Sequence, residues 1–208
     1  MELKKLEVTA FADLLASDAP APGGGSTAAL EGALGAALTA MVCGLTVGKA
    51  KYAASRELVQ SVREKCAALQ VRFLDVMDRD TEAFNAVSAA FALPKGTEEE
   101  KAARSAAIQA ALRGCIDTPM EMMELAAEAL ELTESLLGRF NDSAASDLGV
   151  AALSLRSAIQ GAWLNVRINI SSIKDQDLAE RSRARGEALL DKALPAADRI
   201  YSAVLDMM

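Results

Sequence analysis

Ala21-Pro22-Gly23-Gly24-Gly25-Ser26-Thr27 leads into Ala28–Val47, a run of small apolar residues carrying one charge, Glu31. Pro22 and three successive glycines do not suit a regular helix, and Ser26 is a preferred N-cap. The stretch therefore predicts a tight turn that opens a long helix at Ser26. That helix is apolar almost all the way round. Its small residues recur every fourth position, at Ala28, Gly32, Ala36, Ala40 and Gly44, which makes a face for close packing in a helical core. In a membrane the same repeat would be a dimerisation face. Glu31 and the lack of a second such stretch favour the core. A glycine-rich turn feeding a helix also offers free backbone N–H groups and the positive end of a helix dipole to an anionic or polar ligand. By itself it reads more simply as a tight loop with a good cap.

The 208 residues are 51% hydrophobic and only 4% aromatic, so the core must be built from many small contacts. A net charge of −7 argues against a nucleic-acid surface and against anionic membranes. Cys43, Cys66 and Cys115 are isolated, form no C-x-x-C, and follow no secretory signal, which points to a reducing, cytoplasmic setting. Histidine is absent, so a zinc site is not expected. Acid–base work would then fall to Asp, Glu, Lys, Tyr or Cys.

Helical spacing continues through the chain, and no stretch alternates as a strand would. A short helix covers Leu6–Ala16, with Thr9 as its cap, and the second helix ends near Gly48. A third, marked by Leu58, Val62, Cys66, Leu69, Phe73, Val76 and Met77, runs to about Phe91. Thr97-Glu98-Glu99-Glu100 reads as a capping box for a fourth helix ending near Ile116, and Pro119 as the first turn of a fifth ending near Leu137. A sixth spans Ser146–Ser172, and a seventh begins near Gln176 with a kink at Pro195. The expectation is one all-α domain over residues 1–208, an up-and-down bundle of about seven helices.

Counting rises of about 1.5 Å per residue along such a bundle puts Gly23–Ser26, Asp80, Asn141, Ser146 and Asp147 at one end. It puts Lys49, Lys51, Asn165 and Asn169 at the other. An antiparallel twofold homodimer would set one end against the other and create a site shared between subunits. Each residue also has a plainer reading: Asp147 as a first-turn acid, the lysines as a solvated helix end, and Asp80 as part of a charged face. The asparagines interrupt Trp163, Leu164, Val166, Ile168 and Ile170, where a buried amide needs partners.

Taken together, Pro22-Gly23-Gly24-Gly25-Ser26, Leu45-Thr46-Val47-Gly48-Lys49 with Lys51-Tyr52, Asp80-x-Glu82-Ala83-Phe84 and Leu93-Pro94-Lys95 resemble the cyclodeaminase/cyclohydrolase family of folate enzymes. Asn141, Ser146-Asp147-Leu148-Gly149-Val150-Ala151-Ala152 and Asn165-Val166-x-Ile168-Asn169 extend the match to nearly the whole chain. Phe140 departs from the pattern, which has glycine there. The resemblance implies a dimeric helical bundle acting on a tetrahydrofolate substrate without metal or redox cofactor. The implied reaction either cyclises 5-formimino-tetrahydrofolate to the 5,10-methenyl compound with loss of ammonia or hydrolyses that compound to 10-formyl-tetrahydrofolate. Asp80 takes the position of the family's catalytic carboxylate. The glycine turn, Asn141, Ser146, Asp147, Asn165 and Asn169 would line the substrate, with Lys49 or Lys51 on its glutamate tail. The competing readings are a non-catalytic dimeric scaffold, a folate-binding module and a membrane-embedded dimer.

Overall fold

The computed structural model describes residues 2–208; Met1, the first residue of the expected 1–208 domain, lies outside them. Six α-helices follow one another: α1 (Val8–Leu15), α2 (Gly24–Val47), α3 (Arg56–Phe91), α4 (Glu98–Glu134), α5 (Ala145–Ile170) and α6 (Gln176–Leu205). Single 3-10 turns stand at Leu3–Lys5, Ala50–Ser55 and Asp142–Ala144, and no strand occurs among the described residues. The all-α expectation holds.

The count of seven does not. The predicted fourth and fifth helices are one helix, α4, which runs through Pro119. Proline removes an N–H from the helical ladder and crowds the carbonyl one turn back. Two side chains attend that break: Thr118 Oγ1 donates to Gly114 O at 3.0 Å, and Asn169 Nδ2 donates to Cys115 O at 3.0 Å. Pro195 likewise lies inside an uninterrupted α6.

Losing one reversal turns the second half of the bundle over. With the glycine turn at the top, α2 descends, α3 climbs, α4 descends its full length and α5 climbs again. Asn141, Ser146 and Asp147 therefore lie at the bottom with Lys49 and Lys51, where the Asn141 N–H donates to Thr46 Oγ1 at 2.9 Å. Asn165 and Asn169 rise to the top beside the glycine turn and Asp80. The predicted partition was inverted for all five residues of the second half.

Helix starts differ too. Gly23, not Ser26, is the N-cap of α2, because the Ser26 hydroxyl is committed to Asp80 and Thr81. Thr9 lies inside α1, which begins after Glu7. The capping box formed as read: Thr97 Oγ1 accepts from the Glu100 N–H at 3.2 Å, and Glu100 Oε2 accepts from the Thr97 N–H at 3.1 Å.

α2 is the core helix. It is long and apolar enough to cross a membrane by length and composition, yet half of its apolar window is buried against neighbouring helices. Close packing here depends on missing side chains. A β-carbon on Gly32 would stand 2.3 Å from the Phe73 ring of α3, and one on Gly35 would stand 2.6 Å from Leu155 of α5. Phe73 and Leu155 are themselves fully buried, so neither can step aside without moving its own neighbours. Gly32→Ala is expected to cost about 1–3 kcal/mol in urea unfolding by overpacking. Gly48→Ala, where a β-carbon meets nothing within 4 Å, is the control and should stay within about 0.5 kcal/mol of wild type.

Candidate functional site

At the top of the bundle a cavity of about 260 Å³ opens between the start of α2, the middle of α3 and α4, and the end of α5. Gly23, Gly24 and Gly25 form one wall, Asp80, Thr81 and Phe84 a second, and Cys115, Asn165 and Asn169 the rest. Pro22, preceded by a cis peptide bond from Ala21, is buried behind the glycine turn.

Asp80 meets the first turn of α2. The Ser26 hydroxyl donates to Asp80 Oδ2 at 3.1 Å, and Ser26 itself is fully buried. A β-carbon on Gly25 would lie 2.5 Å from both carboxylate oxygens. Only glycine at that position lets a carboxylate come so close to the positive end of the helix. Two effects oppose each other at this group. Burial pushes its pKa above the ordinary aspartate value, and hydrogen bonds from the Ser26 hydroxyl and backbone pull it down; burial prevails. The result is a carboxylate with more proton affinity than a surface aspartate, suited to taking and returning a proton.

The two asparagines stand one turn apart on α5, as their spacing predicts. Asn165 Nδ2 donates to Gly161 O at 2.9 Å, and Asn169 Nδ2 donates to Asn165 O at 2.8 Å as well as to Cys115 O. Their amide nitrogens are thus anchored on main chain at the rim of the cavity.

Sequence reasoning missed Thr81 and Cys115. Phe84, the last residue of the Asp80-x-Glu82-Ala83-Phe84 pattern, sits one turn after Asp80, half exposed at the cavity wall. Cys115 is held protonated, its thiol pushed up to about 11 by burial and by the negative charge of Asp80. Cys43 and Cys66 are pushed up to about 12 by burial. None of the three is a ready nucleophile. No cluster of three or more metal-binding side chains occurs among the described residues.

The other sequence-predicted residues gather at the far end of α2. Lys51 pairs with Asp142, whose carboxylate raises the lysine above its usual value, and its ammonium lies 5.2 Å from the centre of the Tyr52 ring. The Asp142 N–H donates to Tyr52 Oη at 3.2 Å. Asn141 is buried, and its Oδ1 caps the next turn by accepting from the Ser143 N–H at 3.3 Å. Phe140, in place of the glycine of the pattern, fills the core and is 1% exposed. Lys49 and Ser146 are exposed, and Asp147 occupies the first turn of α5. The chain therefore carries two separate groups at opposite ends of a 24-residue helix, about 36 Å apart at 1.5 Å per residue.

Between them runs an exposed apolar face. Leu34, Met41 and Leu45 of α2 and Val150, Leu153, Leu164 and Ile168 of α5 all lie on the surface, the last two about 70% exposed. Within it, Ser157 Oγ donates to Glu31 Oε2 at 2.6 Å, so the single charge of the α2 run is met by its neighbour.

The family model described as "Formiminotransferase-cyclodeaminase" matches residues 7–188. The chain is 42% identical over 197 residues to the methenyltetrahydrofolate cyclohydrolase of Methylorubrum extorquens, covering 95% of each. It is 34% identical to the formimidoyltransferase-cyclodeaminase of Rattus norvegicus, across 88% of this chain but only 34% of that protein. Its structure matches that of a formiminotetrahydrofolate cyclodeaminase from Thermotoga maritima with a TM-score of 0.81 and 27% identity, covering 99% of this chain and 97% of the other. With the glycine turn, the half-buried aspartate and the paired asparagines in one cavity, and with matches spanning nearly its whole length, the chain belongs to the formiminotransferase-cyclodeaminase family.

Proposed function

We propose that the protein is a folate one-carbon enzyme that hydrolyses 5,10-methenyl-tetrahydrofolate to 10-formyl-tetrahydrofolate, with Asp80 as the acid–base group. The observation that carries the reading is the placement of Asp80: a carboxylate with raised proton affinity, facing a cavity and braced by Ser26. Similarity to the Methylorubrum cyclohydrolase over 95% of both chains favours hydrolysis. Cyclodeamination of 5-formimino-tetrahydrofolate is the second reading, favoured by the likeness to the Thermotoga structure.

In hydrolysis, ionised Asp80 accepts a proton from water as its oxygen attacks the cationic methenyl carbon. The tetrahedral adduct then loses its N5–carbon bond, the hydroxyl proton leaves, and N5 regains a proton. The same negative charge stabilises the cationic substrate. In deamination the direction reverses: protonated Asp80 delivers its proton to departing ammonia as N10 bonds the carbon. The chemistry needs only proton transfer, so neither metal nor redox cofactor enters it.

The basic end completes the site in a homodimer. The exposed α2–α5 face is apolar apart from the Ser157–Glu31 pair, and it ends in the cavity on one side and in Lys49 and Lys51 on the other. A twofold axis across that face sets the partner subunit's Lys51 near the cavity, where a folate glutamate tail carries its carboxylates. Gly23–Ser26, Asn165 and Asn169 then hold the ring system. Asn141, Ser146 and Asp147 join from the partner's lower end. An enzyme of this kind works in the cytoplasm with a soluble substrate and has no call for a membrane or nucleic acid.

Asp80→Asn is expected to lower kcat about 10²–10⁴-fold, read as loss of the methenyl absorbance band, with the fold intact. Folded Asp80 holds its proton to higher pH than the unfolded chain does. Its contribution to stability is therefore full below about 3.8 and is lost as pH rises through the folded value. The thermal midpoint of Asp80→Asn should accordingly gain on wild type as pH is raised across that interval, and an unchanging difference would count against the burial argument. For the shared site, Asp80→Ala protein, which lacks the acid–base group, and Lys51→Ala protein, which binds substrate weakly, are unfolded and refolded together and assayed well below the KM of Lys51→Ala; they should recover about a quarter of wild-type activity, because half the dimers are hybrids with one intact site. Mixtures as inactive as their components would remove the shared site. Failure of the wild-type chain to turn over or bind either folate would leave a helical scaffold as the better account.

A further inference from the structure

Pro119 is the least expected residue of α4, since a proline in a helix interior is strongly disfavoured and a cavity wall lies one turn away. In an unbroken helix the N–H of residue 119 would donate to the carbonyl of Cys115. Proline has no N–H, and its ring pushes that carbonyl outward. The freed acceptor is the one that Asn169 Nδ2 takes at 3.0 Å, from a different helix. The second amide hydrogen of Asn169 goes to Asn165 O at 2.8 Å. A carbonyl only accepts, so both contacts fix which end of the amide is nitrogen. Asn169 is left with Oδ1 as the polar atom available to a ligand in the cavity it lines.

We propose that Pro119 is a positioning residue for the site: by withholding an N–H it reserves the Cys115 carbonyl for Asn169, and so locks Asn169 as a hydrogen-bond acceptor toward an N–H group of the substrate. The proposal rests on the folate reading for its ligand, whose pterin ring carries such donors. It does not rest on that reading for the lock, which is a property of the empty protein. Asn165 differs in this respect. One of its amide hydrogens goes to Gly161 O, and the other has no acceptor among the described residues, so Asn165 retains donor capacity beside a fixed acceptor. Two like residues one turn apart thus offer a ligand different polarity.

The test restores the missing N–H. Pro119→Val keeps about the volume of the ring in a buried position, and Pro119→Ala is a second variant should the first fail to fold. In ligand-free protein, the side-chain amide protons of Asn169 are expected to exchange with solvent at least about tenfold faster in either variant, followed by NMR. With methenyl-tetrahydrofolate, KM should rise about fivefold while kcat changes less than twofold, the loss of about one hydrogen bond. In an Asn169→Ala background the proline substitution should add no further change in KM, since the proline acts through that side chain. Unaltered exchange would overturn the lock and leave the folate reading intact. A KM shift that persists without Asn169 would show that the proline acts by another route and would overturn the proposal. Wild-type protein that binds no folate would overturn the folate reading and the ligand half of the proposal, with the exchange result still deciding the lock.

Discussion

Along the upper half of α2 the main chain is approached as closely as side chains on other helices allow: Asp80 at Gly25, Phe73 at Gly32 and Leu155 at Gly35. These three contacts set the spacing of α2 from α3 and α5; α4 packs across those two, and α6 packs on α5 and α4. The core that results is made of alanines, valines and leucines with few rings, so no single large anchor holds it. Spacing and chemistry are therefore one problem here. The distance that lets Phe73 lie flat on Gly32 is the distance that brings Asp80 to the N–H groups of the helix start, two turns above it on the same helix pair.

The electrostatics follow from that approach. Removed from most of its water, Asp80 is raised by desolvation and restrained by Ser26, and the balance leaves it ready for proton transfer in either direction. A protein without histidine has few other ways to reach that state. Its thiols are pushed the wrong way by burial, and Lys51 at the far end is held charged by Asp142. The surface charge of the chain says little about this, because the deciding groups are one half-buried carboxylate and one short cluster of cations.

Much of the fold was legible because helical periodicity and local caps are written in neighbouring residues. Thr97 and Glu100 are three apart, and their capping box formed as read. Pro119 was not legible in the same way. A proline that opens a helix and one that interrupts it look alike locally; what separates them is whether something remote satisfies the freed carbonyl. Here that is Asn169, more than fifty positions downstream. One misplaced reversal then carried Asn141, Ser146 and Asp147 to the wrong end and exchanged them with Asn165 and Asn169. Ser26 misled for the same reason, since its hydroxyl prefers a distant carboxylate to its own helix. Gly23–Gly25 and Asp80 were found by pattern, whereas Cys115 and Thr81 entered the cavity wall with no signal in sequence beyond their helical phase.

Because α2 runs unbroken from Gly24 to Val47, it works as a ruler. Each residue fixes about 1.5 Å of separation and about 100° of rotation between the glycine turn and the lysine cluster. Deleting one residue from its middle would shorten the distance trivially but swing the two ends out of phase by more than a quarter turn. Loops and the outer face of α6 carry no such burden. Insertions and deletions should therefore be tolerated at the bundle's connections and periphery, while α2 keeps its length even where its composition drifts.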